Sequence, residues 1–179
     1  MNDESEQVMW AGRFITAKTK GKWEYVTRSR GIRAAVILAV AEDDHVLLVE
    51  QFRVPLGKPC LELPAGLIGD HDDVAGEDAT VAAARELEEE TGYSAARVEV
   101  VGEFYSSPGM VSESFTLLTA HDLTKVSDGG GVDGENITVH RVPISGLEEF
   151  IAGARQRGLG IDVRLLLLLG ANIVGGMRK

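Results

Sequence analysis

Apolar residues along this chain recur at two spacings, one fitting strands and one fitting helices. Residues 8–29 mix aromatic and β-branched positions with charges and predict a small strand pair turning near Lys20-Gly21. Residues 32–40 and 45–52 are dense in Val, Ile and Leu, as buried strands are, and Ala41-Glu42-Asp43-Asp44 between them reads as a hairpin turn. Residues 60–63 predict a short strand that runs into a loop at Gly66. Residues 98–105 alternate apolar and polar positions, as a half-buried strand does, and 115–120 and 137–142 predict two more strands. Helices are expected at 76–91, after Pro143-Ile144-Ser145 with Ser145 as N-cap, and at 162–173. The Gly- and Asp-rich residues 122–134, with Gly129-Gly130-Gly131 inside them, read as a flexible loop, and residues 1–7 as a frayed tail. Strands and helices mix without strict βαβ alternation. The fold class expected is therefore α+β, an α/β/α sandwich around a mixed sheet.

The helix at 76–91 is chemically unusual. It contains Arg85-Glu86-Leu87-Glu88-Glu89-Glu90-Thr91-Gly92. In helical geometry Glu86, Glu89 and Glu90 stand at i, i+3 and i+4 and share one face, where like charges repel. A hard divalent cation reverses that cost, because carboxylates suit Mg²⁺ or Mn²⁺. The alternative is a solvated acidic face. Ala79, Ala82, Ala83, Leu87 and Thr91 form a small-residue face suited to close packing, and Gly92 occupies the position that often ends a helix. Arg85 lies within the acidic cluster, where it can pair with Glu77 or Glu89 and hold the ligands in place.

Glu77, Arg85, Glu86, Leu87, Glu89, Glu90 and Gly92 fall in register with the Nudix box, G-x5-E-x7-R-E-U-x-E-E-x-G-U, and Tyr93 takes its last hydrophobic position. The box glycine is best matched by Gly66, in Glu62-Leu63-Pro64-Ala65-Gly66. Ten residues rather than five then separate it from Glu77, which implies a lengthened loop near residues 69–73. The segments Leu47-Leu48-Val49-Glu50-Gln51-Phe52-Arg53 and Ser107-Pro108-Gly109 resemble the ADP-ribose pyrophosphatase branch of that family. Pro108 lies sixteen residues beyond Gly92, as that branch expects. The resemblance covers roughly residues 10–150.

The resemblance implies a Nudix fold and metal-dependent hydrolysis of the diphosphate bond in ADP-ribose or a related nucleoside diphosphate sugar. It implies Mg²⁺, with Mn²⁺ as the alternative, held by Glu86, Glu90, Glu89 and the backbone carbonyl of Ala65. Glu89 and Arg85 are placed in the catalytic machinery. The general base is left between Glu113 and Glu135, either of which is otherwise an exposed loop carboxylate. Arg53 is placed near the phosphates or terminal ribose, its alternative being a surface ion pair. Trp23 and Tyr25 are placed against the base, in a segment this family often exchanges between subunits; their alternative is ordinary strand packing. A homodimer follows from the same resemblance. Residues 1–30 would then be a tail and strand pair used for dimerising, and residues 31–179 the hydrolase domain. The alternatives are a GDP-mannose-type nucleotide-sugar hydrolase and a non-catalytic nucleotide-sugar-binding regulator. The box carboxylates are all present, which weighs against the latter.

Composition narrows partners more than fold. The 179 residues suffice for one main core. The formal charge of −10 excludes a broad basic surface for nucleic acid, and it requires placed cations or a metal to draw in an anionic substrate. Cys60 is the sole cysteine, so no internal disulfide forms, and it reads as a small core residue. The acidic N-terminus does not resemble a signal peptide and the run at 165–169 is too short for a bilayer, so the expectation is a cytoplasmic protein without membrane contact. His45, His71, His121 and His140 show no metal-ligand spacing.

Overall fold

A computed structural model describes residues 5–29, 33–68, 78–132 and 134–176. Glu77 and the lengthened loop at 69–73 lie outside the described residues, as do residues 1–4 of the expected tail.

The chain opens with β1 (Gln7–Ala11), β2 (Ile15–Lys20) and β3 (Trp23–Arg28), an antiparallel three-stranded sheet. The sequence pattern predicts a strand pair here, and the turn at Gly21 falls where expected, with φ of +59°. The main sheet contains β4 (Arg33–Ala41), β5 (His45–Arg53), β6 (Lys58–Glu62), β7 (Ala65–Ile68), β8 (Tyr93–Tyr105), β9 (Ser114–Lys125), β10 (Thr138–Pro143) and β11 (Gly160–Ile161). Its main path runs β11-β6-β5-β4-β9-β8, with β10 added on β5 and β7 on β4. The β4–β9 and β6–β11 pairs are parallel and the others antiparallel, so the sheet is mixed. Among the described residues no helix is long and apolar enough to cross a membrane.

Side-chain alternation decides which helix covers which face. Ala35, Ile37 and Ala39 of β4, Leu47 of β5, and Leu118 and Ala120 of β9 pack with Ala82, Ala83 and Leu87 of α1 (Ala79–Thr91). The intervening Val36, Val46, Leu48 and Leu117 point to the opposite face. There they meet Leu147, Ile151 and Ala154 of α2 (Leu147–Gln156), and Leu169 of α3 (Leu166–Gly176). The result is the α/β/α sandwich expected from the pattern. Alanines at the centre of the α1 interface let the helix lie close to the sheet, and both are fully buried.

Several boundaries differ from the sequence reading; β8, for one, begins at Tyr93 rather than at 98. The described part of the first helix begins at Ala79, because Asp78 is the N-cap and accepts from the Thr80 N–H at 2.8 Å. β9 runs on through Lys125, since pairing with β8 supplies partners for residues the composition suggested were loop. Ser145 does not cap α2. It lies inside a 3-10 turn, Ile144–Gly146, and the N-cap position falls on Gly146 with no side-chain cap. The last helix is preceded by a 3-10 turn, Val163–Leu165, in which Asp162 accepts from the Arg164 N–H at 2.8 Å.

Leu87 is fully buried between α1 and the sheet. Leu87→Ala should lower the stability of the fold by about 2–5 kcal/mol, read from urea unfolding monitored by circular dichroism. A loss below about 1 kcal/mol would mean that α1 is not held by this contact.

Candidate active site

A cleft of ≈ 650 Å³ opens where α1 meets β7 and the loops beyond β8 and β9. Its walls include Glu86 and Glu90 from α1, Ala65 and Gly66 from β7, and Arg53, Glu113, Glu135 and Arg164. The helical spacing that places Glu86 and Glu90 one turn apart brings both carboxyl groups to one wall.

Gly66 makes the arrangement possible. A Cβ at this position would overlap the Glu86 carboxyl and its Cγ, so the Glu86 side chain can lie across β7 here only because residue 66 is glycine. Glu90 is 5% exposed, and one oxygen accepts from the Ala65 N–H at 2.9 Å. Burial pushes its carboxyl up to about 8, against the pull of that hydrogen bond. The charges of Glu86 and Glu135 act in the same direction as burial, and Arg53 opposes them.

Arg85 Nη1 donates to Glu86 at 2.9 Å and to Glu89 at 3.2 Å. Glu86 is therefore oriented by Arg85 and lies in the space that the missing side chain of Gly66 leaves open. Glu89 shares the helix face but lies off the cleft walls, with its side chain about a third exposed. Among the described residues no three acidic, His or Cys side chains converge into a closed metal cage. The donor set nevertheless fits a divalent cation of the Mg²⁺ kind, which keeps several waters and takes only one or two carboxylates plus substrate phosphates. A buried carboxyl with no ion pair among the described residues, beside a second one at i−4, is the chemistry such an ion offsets.

The two candidate bases occupy the same cleft by different routes. Glu113 follows the Ser107-Pro108-Gly109 turn and is ion-paired with Arg28 Nε at 2.5 Å. Strand β3, which carries Arg28, is tied to this turn: the Val26 N–H donates to Met110 O at 3.0 Å, and Ser112 N–H to Val26 O at 3.0 Å. Glu135 comes from the loop after β9, where one oxygen accepts from the Val132 N–H at 3.0 Å.

Arg53 lines the cleft, with its guanidinium fork closed on Glu62 at 2.6 and 2.8 Å. Glu62 is 2% exposed, and it also accepts from Arg164 Nη2 at 3.1 Å. Arg164 is clamped in turn by Asp162 at 2.6 and 2.8 Å. Burial opposes ionisation of Asp162, but the Arg164 guanidinium outweighs it and holds that carboxyl below its ordinary range. Glu62, Asp162 and Arg164 are site residues that sequence reasoning missed. Glu62 stood in the quoted motif without a role, and Arg164 lies 102 residues from its partner.

Trp23 and Tyr25 lie elsewhere in the single chain. With Lys20, Pro108, Gly109, Val111 and Ser112 they line a second pocket of ≈ 230 Å³, and the Tyr25 hydroxyl donates to Glu6. Trp23 is 64% exposed.

The NUDIX domain family model matches residues 30–157, and the chain belongs to that family. It is 36% identical to the ADP-ribose pyrophosphatase of Bacillus subtilis over 56% of this chain and 51% of that protein, so the match spans about half of that relative. It is 38% identical to the GDP-mannose pyrophosphatase of Cronobacter sakazakii over 78% of this chain and 72% of that one. Among solved structures, that of an ADP compounds hydrolase aligns with a TM-score of 0.68 at 22% identity, covering 98% of this chain and 95% of that chain. That likeness carries the fold.

The metal-free protein should be sensitive to pH through Glu90. An unfolded carboxyl releases its proton near 4.5, whereas Glu90 in the fold retains it up to about 8. Across that interval the folded state binds more protons, so this group's contribution to stability falls as pH rises through about 8. A bound cation favours the ionised form, so metal binding releases a proton below that pH. Mg²⁺ should therefore raise Tm more at about pH 8.5 than at about pH 6, and Glu90→Gln should remove the difference, as read by differential scanning fluorimetry. An Mg²⁺ increment independent of pH in the native protein would place the metal away from Glu90.

Proposed function

We propose that this chain is a Nudix pyrophosphohydrolase acting on ADP-ribose or a related nucleoside diphosphate sugar, and that it yields a nucleoside monophosphate and a sugar phosphate. The observation that carries the reading is the placement of Glu86 against Gly66 and of Glu90 against the Ala65 N–H, in a cleft that also holds Arg53 and two loop carboxylates. The relatives' names supply the substrate class, since the box chemistry recognises metal and diphosphate rather than base or sugar.

In this reading Glu86 and Glu90 hold the cation, with Ala65 beside them and Glu89 supporting through Arg85. When bound, a divalent ion of the Mg²⁺ or Mn²⁺ kind neutralises the diphosphate and acts as a Lewis acid on its oxygens. Water attacks one phosphorus, the bond to the bridging oxygen breaks, and that oxygen leaves with the other phosphate. We assign acceptance of the water's proton to Glu135. Its carboxylate lies near enough for its charge to act on Glu90, and a backbone N–H holds it in place. Glu113, engaged by Arg28, is assigned to positioning instead. Arg53 faces the phosphates with its orientation set by Glu62.

The reading extends to Trp23 and Tyr25 as contacts for the base in a homodimer. Support comes from their place on a sheet whose first strand exposes Val8, Met9 and Trp10. A cytoplasmic setting belongs to the same proposal, supported by the single cysteine, Cys60, being free and buried. GDP-mannose is the second substrate to test, because the Cronobacter relative matches the larger share of this chain.

The test is phosphate release from a panel of nucleoside diphosphate sugars with Mg²⁺ and a coupled phosphatase. ADP-ribose should lead the panel. Glu90→Gln should lower kcat by about 10²-fold or more, and Glu135→Gln should lower it more than Glu113→Gln does. A panel led by GDP-mannose would move the substrate assignment and leave the chemistry in place. Binding of a nucleotide sugar without turnover would turn the reading into that of a regulator.

A further inference from the structure

The Gly129-Gly130-Gly131 stretch reads as a flexible loop by composition, and the structure hydrogen-bonds that loop to the end of α1. The Gly130 N–H donates to Glu90 O at 2.9 Å and the Gly131 N–H to Glu89 O at 2.9 Å. Val126 and Ser127 both donate to Gly92 O, at 2.8 and 3.1 Å. Two of the terminal carbonyls of α1, those of Glu89 and Glu90, are thus taken up by the glycines of this segment. All three glycines have positive φ, of +66°, +110° and +80°. A Cβ on Gly129 would strike the backbone of Thr91 and stand 2.7 Å from Glu90 O. Glycine is needed here for close approach as well as for conformation.

The same segment carries Glu135. The Ile137 N–H donates to Gly130 O at 3.1 Å and the Glu135 N–H to Val132 O at 3.1 Å, closing the loop on itself. The Val132 N–H then holds the Glu135 carboxylate at 3.0 Å. Gly131 touches both ends of this arrangement. Its N–H reaches the ligand-bearing turn of α1, and a Cβ on it would overlap a Glu135 carboxylate oxygen and stand 2.9 Å from Glu135 Cβ.

We propose that residues 129–132 and 134–137 form a latch whose glycine N–H groups seat on the carbonyls of Glu89 and Glu90 and so hold Glu135 in register with Glu86 and Glu90. Gly131 is its positioning residue. The inference rests on the reading of Glu135 as the proton acceptor. The glycines do no chemistry; they tie the loop carboxylate to the helix turn that bears the ligands, so the distance between them does not depend on the rest of the loop. A methyl group on Gly131 would displace the Glu135 carboxylate oxygen, and its 2.9 Å approach to Glu135 Cβ would shift the loop backbone that carries that side chain as well.

The test compares Gly131→Ala with Gly158→Ala. Gly158 has φ of +87° and open space around it, so it carries the same backbone strain without the contact. Gly131→Ala should lower kcat by about 10–10²-fold, with KM and the Mg²⁺ half-saturation within about twofold of the native protein, while Gly158→Ala keeps native kinetics. In a Glu135→Gln background the Gly131→Ala change should add nothing further, since both act on one group. Amide exchange followed by NMR supplies a readout independent of turnover: the Gly130 and Gly131 N–H groups should be protected to the same degree as the C-terminal turn of α1. Free exchange at those two amides overturns the latch whatever the activity. Loss of activity in Glu135→Gln with Gly131→Ala matching Gly158→Ala overturns it too. Native activity in Glu135→Gln instead overturns the assignment of the proton acceptor and leaves the latch without a function.

Discussion

The approach of α1 to β7 at Gly66 is the constraint on which the site depends. Two independent features permit it. On the sheet side Gly66 offers no Cβ where the Glu86 carboxyl must pass. On the helix side Ala82 and Ala83 present short side chains to Ala35, Ile37 and Ala39. A Cβ at residue 66 would push the Glu86 carboxyl from its place, and larger side chains at Ala82 or Ala83 would move the helix off the sheet and strain the hydrogen bond from the Ala65 N–H to Glu90. Packing at close-packed density leaves no slack to absorb such a change. The helix ends where it does for a related reason. Gly92 adopts φ of +75°, its N–H reaches Glu88 O, and a Cβ there would meet Ser127 O.

Electrostatics in the cleft is organised as local pairs. The chain carries a formal charge of −10, so the overall field does not attract an anion. Each cation in the walls is instead held by a carboxylate: Arg28 by Glu113, Arg53 by Glu62, and Arg164 by both Glu62 and Asp162. A buried glutamate shared by two guanidinium groups is costly to desolvate unless its partners stay in place, so the pairs fix the direction of the arginines as much as they stabilise anything. Glu90 is the exception. Among the described residues the one hydrogen bond to its carboxyl is from a backbone N–H, and burial keeps it protonated up to about 8.

Much of this was readable from residue order. The periodicities at 32–40 and 45–52 located the central strands. The alanine and leucine face of the helix was recognised from spacing alone, and it is the face that is buried. Glu86 and Glu90 were placed together because helical geometry leaves no freedom in how i and i+4 stand. Ser145 failed as a cap because a 3-10 turn intervened, and the end of β9 was missed because pairing with β8 overrode local composition. The triglycine stretch is a loop, as its composition suggests, and the structure adds that the loop is hydrogen-bonded to the end of α1. Glycine signals either freedom or close approach, and only a neighbouring surface says which.

The sequence by itself determined the acidic helix, the strands of the core and the side of the helix that packs. These depend on interactions within a few residues and on a periodicity the backbone imposes. The tertiary structure alone decided that Arg53 faces Glu62 and Arg164, that Glu113 is tied to Arg28, and that Trp23 and Tyr25 stand apart from the carboxylates within one chain. It also decided that the glycine loop seats on the end of α1. Those contacts join residues far apart in the chain, and their partners are chosen by sheet order and helix placement, which no local pattern encodes.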